Sequence, residues 1–109
     1  MAEVLAFELF AKKAKRFSKK FKTLPSEILD LADQLKINPK IGIPLGSNLF
    51  KIRLASESKG KGKSGGFRII TYFVDETKQV VYLVTIYDKS EEESISKQVL
   101  KQYLKEELS

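Results

Sequence analysis

The chain has 109 residues, 20 Lys plus Arg against 14 Asp plus Glu, and no His, Cys or Trp, so its formal charge is +6. That length suits a single small domain over residues 1–109, and 42% hydrophobic with 31% charged residues is the balance of a folded protein rather than a disordered tail. Without Cys or His there are no disulfides, thiolate zinc sites, cysteine nucleophiles or His-based triads, and any catalysis falls to Lys, Arg, Tyr, Ser, Thr, Asp or Glu.

A short strand is expected at Val4 to Leu9. Phe10, Ala14, Phe17, Phe21 and Leu24 then recur at helical spacing, and the positions between them carry Lys12, Lys13, Lys15, Arg16, Lys19, Lys20 and Lys22. Leu24-Pro25-Ser26 is read as a break, because proline disfavours a helical residue before it, and a second helix follows with Ile28, Leu31, Ala32 and Leu35 inward. Asn38 to Ser47 holds two prolines and two glycines and reads as a loop.

Phe50, Ile52 and Leu54 alternate with Lys51 and Arg53, the period-two pattern of a strand. Strands from Phe67 to Val74 and from Gln79 to Tyr87 flank the polar turn Asp75-Glu76-Thr77-Lys78, as in an antiparallel hairpin. Centring that hairpin between Glu76 and Thr77 places Arg68 opposite Thr85, with Tyr87 a diagonal step of roughly 7 to 8 Å away on the same face. A last helix is capped at Ser90, with Glu93 completing a capping box, or at Ser96; Ile95, Val99, Leu100, Tyr103, Leu104 and Leu108 form its apolar side. Helices and strands are segregated, which makes the fold class α+β.

Residues 1–89 hold 17 basic and 9 acidic residues, whereas 90–109 hold 3 and 5, so the positive charge that favours a polyanionic partner belongs to the first four-fifths. No stretch approaches the roughly 20 apolar residues of a membrane helix and no long apolar leader is present, so the expected location is cytoplasmic, away from membranes.

Gly60-Lys61-Gly62-Lys63-Ser64-Gly65 spells G-x-G-x-x-G and ends like a P-loop, but a strand rather than a helix follows it, and Glu57 stands where a Walker A motif needs its first glycine. No nucleotide cofactor is expected. The segment reads instead as a basic loop whose lysines and open backbone N–H groups approach a phosphate backbone, the bland alternative being a solvated hairpin tip. The strand pattern gathers Lys51, Arg53, Arg68, Tyr87 and Lys89 near Lys61 and Lys63. RNA cleavage by its own 2′-hydroxyl without imidazole or metal needs such a set: cations to stabilise the phosphoryl oxygens, and a phenol or amine to move protons. For Tyr87 alone the bland alternative is a half-buried strand aromatic.

Asn38-Pro39-Lys40 with Ile43-Pro44-Leu45-Gly46, Leu49-Phe50-Lys51-Ile52-Arg53, Gly60 to Ile70, and Tyr82-Leu83-Val84-Thr85-Ile86-Tyr87-Asp88-Lys89-Ser90-Glu91 resemble the RelE/ParE toxin superfamily, most of all its HigB-like branch. The resemblance runs from about Asn38 to Ser96. It implies a small, mainly antiparallel sheet with two N-terminal helices on one side and a C-terminal helix. It also implies the toxin of a type II toxin–antitoxin pair, an endoribonuclease (mRNA interferase) cutting mRNA in the ribosomal A site and held by an antitoxin, in this branch usually a helix-turn-helix protein. On that resemblance Arg68 takes the scissile phosphate, Lys61 and Lys63 neutralise the backbone, and Tyr87 or Lys89 transfers protons; Lys51, Arg53 and Lys59 are expected to bind RNA beside them, with no cofactor or metal. Asp88 either orients Lys89 or lies on the opposite face. Two other readings remain: a non-catalytic inhibitor of DNA gyrase on the same fold, like the ParE toxins, and a free-standing RNA-binding protein.

Overall fold

A computed structural model describes residues 1–60, 65–91 and 94–109. The elements run β1 (Glu3–Ala6), α1 (Glu8–Lys20), α2 (Leu24–Ile37), β2 (Ile43–Gly46), β3 (Leu49–Leu54), a 3-10 turn (Glu57–Lys59), β4 (Phe67–Asp75), β5 (Gln79–Asp88) and α3 (Lys97–Leu108). The sheet order is β1-β5-β4-β3-β2, with β1 parallel to β5 and every other neighbour antiparallel. This is the expected α+β architecture, a five-stranded mixed sheet with three helices.

Three local expectations shift, each for a physical reason. Phe7 closes β1 by donating its N–H to the Leu83 carbonyl (2.9 Å), so the helix begins at Glu8 and the first strand is shorter than expected. Pro25 opens α2 rather than breaking α1. Its missing N–H falls in the first turn, where helical N–H groups have no partner in any case, and α1 has already stopped at Lys20. The expected loop contains β2, joined to β3 through Ser47 and Asn48, both with positive φ (56° and 63°) as a tight two-residue hairpin turn requires.

Alternation along the strands sorts side chains to two faces. Phe67, Ile69, Ile52 and Ile86 share the face under α1, where the Phe17 and Phe21 rings stand 5.1 and 5.3 Å from the Phe67 ring. Phe67, Ile69 and Ile86 are fully buried there, and Leu31 and Leu35 of α2 complete the layer. On the second face lie Arg53, Lys51, Arg68, Ile70, Thr85 and Tyr87. Helix α3 runs across the molecule from β2, where Lys97 Nζ stands in the space a Gly46 side chain would fill, to α1, where Glu107 Oε1 accepts from the Leu9 N–H (3.3 Å). It starts at Ser96, whose Oγ accepts from Val99 N–H (3.2 Å), and it is anchored by fully buried Leu100. Ser90 does not cap it: Ser90 turns back to Asp88, and Glu93 lies outside the described residues. Among the described residues no helix is long and apolar enough to cross a membrane.

Candidate active site

The β4–β5 hairpin sets the geometry of the site. Asp75 pairs with Gln79 across a turn of Glu76, Thr77 and Lys78, and a bulge between Ile70 and Thr71 places one additional residue, Val84, in β5. Arg68 is thereby directly opposite Tyr87, not Thr85, and Ile70 faces Thr85. Direct cross-strand neighbours have Cβ atoms about 5 Å apart, so the two side chains named from the sequence are closer than the diagonal placement allowed.

Both side chains are shielded from water, although they stand at polar positions of the strand pattern. Arg68 is 4% exposed and Tyr87 1% exposed, beside fully buried Thr85. The guanidinium donates from Nη1 to the Phe67 carbonyl (3.2 Å). Polar residues at strand positions report which face they share; whether that face is wet depends on what packs over it later in the chain, which strand periodicity does not carry. Directly across from Arg68 on β3, Arg53 is exposed, and Lys51, opposite Ile70, is half-buried. The result is a covered cation–phenol pair with an accessible cation beside it. In a site screened from water, a charge acts on a phosphoryl oxygen several-fold more strongly than at the surface.

The remaining candidates divide. Lys61 and Lys63 lie outside the described residues. Lys59 is not among the exposed cations: its side chain is 9% exposed and ion-paired with Asp88, and its ammonium sits over the rings of Phe67 (4.8 Å) and Phe21 (5.4 Å). It lies on the α1 side of the sheet, the side to which Asp88 also turns, away from Tyr87. Of the two orientations open for Asp88, the structure takes the opposite face. Burial alone would raise the Asp88 carboxyl, but hydrogen bonds from Lys59 and from the Ser90 N–H and hydroxyl, together with the Lys59 charge, outweigh it and hold the group below its ordinary value.

Lys89 is exposed just beyond β5, its N–H donating to the Gly66 carbonyl (3.3 Å). It lines a cleft of about 540 Å³ with Lys20, Phe21, Ser58 and Ser90, at the α1 end of the sheet. Arg68, Tyr87, Arg53 and Lys51 thus form one group, Lys59 and Asp88 another behind it, and Lys89 marks the rim where the strand ends. Sequence reasoning missed the second group. Its signal was an acid between two candidate residues, a group that needs hydrogen-bond donors or a cation once it is buried. Among the described residues no three Asp or Glu side chains gather closely enough to hold a metal ion.

Compared with known protein families, residues 8–107 match the model described as the RelE toxin of the RelE / RelB toxin-antitoxin system.

Proposed function

Because this chain belongs to the RelE toxin family and is a toxin of a toxin–antitoxin system, we propose that it is a ribosome-dependent endoribonuclease, cutting mRNA in the A site by attack of the 2′-hydroxyl on the adjoining phosphorus. The P–O5′ bond breaks as the P–O2′ bond forms, leaving a 2′,3′-cyclic phosphate and a 5′-hydroxyl. One proton leaves the 2′-oxygen and one reaches the 5′-oxygen, so no oxidant or other co-reactant enters. Arg68 would hold the non-bridging oxygens as charge builds on them, and Tyr87 and Lys89 are the groups for the proton transfers. Arg53 and Lys51, with Lys61 and Lys63, would neutralise the flanking phosphates and fix the register of the strand. The observation that carries this reading is the direct cross-strand pairing of Arg68 with Tyr87 on one face, beside exposed Arg53.

The sequence motifs from Asn38 to Glu91 resemble the HigB-like branch most of all, which supports a helix-turn-helix antitoxin as partner. Primer extension on cellular mRNA after induction, with and without translating ribosomes, tests the activity: cuts that appear only on translated messages support it. The burial of Tyr87 favours a second reading, a non-catalytic gyrase inhibitor in which the pair is structural. DNA-damage signalling with intact transcripts would establish that reading and overturn the first.

A further inference from the structure

The Lys59–Asp88 pair has a construction that stability alone does not explain. Burying two charges costs as much as their attraction returns unless their remaining hydrogen-bonding capacity is met, and an apolar pair in the same space is often as stable. Here one carboxylate oxygen collects three donors, and the ammonium also faces the Phe21 and Phe67 rings. Asp88 Oδ1 accepts from Lys59 Nζ, from the Ser90 N–H (2.9 Å) and from the Ser90 hydroxyl (2.9 Å). The turn that carries Lys59 is itself fixed to the start of α2: Thr23 N–H donates to Ser58 Oγ (2.7 Å), Ser58 N–H to Thr23 Oγ1 (3.0 Å), and Glu57 N–H to Glu27 Oε2 (2.9 Å). A continuous set of polar contacts therefore runs from α2 through the turn to the last residue of β5.

Asp88 stands between the two residues assigned to proton transfer, and its pairing with Phe67 is the last rung of the β4–β5 ladder. Beyond that rung, apart from what Ser90 gives the Asp88 carboxylate, the chain is held by the Lys89 N–H to the Gly66 carbonyl (3.3 Å) and by the Glu91 N–H to the Asp88 carbonyl (3.0 Å). We propose that Lys59 and Asp88 are positioning residues: the pair fastens the end of β5 to the Glu57–Lys59 turn and so fixes where Tyr87 and Lys89 meet the RNA. This rests on the nuclease reading above. It assigns Lys59 a role different from phosphate binding, since its ammonium is already held by a carboxylate and two rings.

The test compares Lys59→Met, Asp88→Asn, Lys59→Arg and the exchanged pair Lys59→Asp with Asp88→Lys in the full chain. Single-turnover cleavage on mRNA-programmed ribosomes is measured alongside amide hydrogen exchange. A displaced reacting group lowers the rate at saturation, so Lys59→Met and Asp88→Asn are expected to lose about ten- to a hundredfold in kcat with KM little changed. Lys59→Arg should keep most of the activity and the exchanged pair should recover part of it, because either restores the attraction, whereas an Asp at 59 cannot replace a phosphate contact. Exchange should quicken at residues 88–90 and stay slow at 69–73. A raised KM at unchanged kcat, or an exchanged pair no better than the worse single variant, would overturn the proposal. Should the unaltered protein cut no RNA, the nuclease reading fails by itself, and unchanged exchange at 88–90 in Lys59→Met would then overturn the fastening separately.

Discussion

Replacing Arg68 with Met removes the charge while retaining an unbranched side chain in a site that is 4% exposed. The expected loss follows from that shielding. A unit charge about 4 Å from a developing negative charge is worth about 1 kcal/mol in water and about 4 kcal/mol at the effective dielectric of a partly enclosed protein site. Deleting the charge forfeits up to about 4 kcal/mol, or roughly two to three orders of magnitude in rate, in line with the hundred- to thousandfold typical of a lost transition-state donor. Single-turnover cleavage on programmed ribosomes should fall by that factor, with ribosome affinity within a few-fold of the original, because half-buried Lys51 and exposed Arg53, the residues proposed for the flanking phosphates, are unchanged. Arg68→Lys restores the charge but not the planar fork and should recover only part of the rate. A rate within about fivefold of the original in Arg68→Met would refute the reasoning, since a shielded guanidinium in contact with the phosphate cannot be worth so little.

Tyr87→Phe keeps the ring and removes only the hydroxyl; if the phenol moves a proton, cleavage falls by about a hundredfold or more, and retained cleavage transfers the role to Lys89, which Lys89→Ala then tests. Leu100→Ala empties the fully buried anchor of α3 and should cost about 3 kcal/mol, lowering Tm by roughly 10 °C or more in a thermal melt followed by circular dichroism. The Asp88 carboxyl is held below its ordinary value when folded, so its contribution to stability is complete above the unfolded value near pH 4 and is lost as pH falls through the lower folded one. Melts between pH 2 and 6 should show the advantage of the unaltered protein over Asp88→Asn shrinking on the acid side, and a gap that widens toward acid would contradict the assignment.

The repeating parts of the fold were legible because period is a strong signal. The Phe10-Ala14-Phe17-Phe21-Leu24 stripe led to α1, although that helix stops at Lys20 and Leu24 opens α2, and the Phe50-Ile52-Leu54 alternation led to β3. The Arg68–Tyr87 pairing shows how a face can be read correctly from a register that is not. The hairpin centres on Thr77 rather than between Glu76 and Thr77, which moves the register by one, Val84 moves it by another, and two single steps leave the same side chains on the same face. Burial was not legible: nothing local to Arg68 says what the residues after β5 will cover. Nor was the partner of Asp88, because Lys59 reaches it from a turn 29 positions earlier, and in the sequence that lysine looks like every other cation near the glycine-rich segment. The β2 hairpin escaped notice because Ser47-Asn48 takes its positive φ values without the glycine that ordinarily announces such a turn.

The irregularity at Val84 divides its strand into two mechanical regimes. Residues Val80 to Leu83 are gripped on both sides, by β1 and by β4, whereas among the described residues Thr85 to Asp88 pair with β4 alone. Extra twist localised at such a joint lets the outer half turn relative to the inner one without disturbing the rungs below it. Substitutions that repack the hydrophobic end of the hairpin can therefore accumulate while the arginine and the phenol hold their separation, and the outer half can be re-aimed toward a differently shaped polyanion without rebuilding the scaffold.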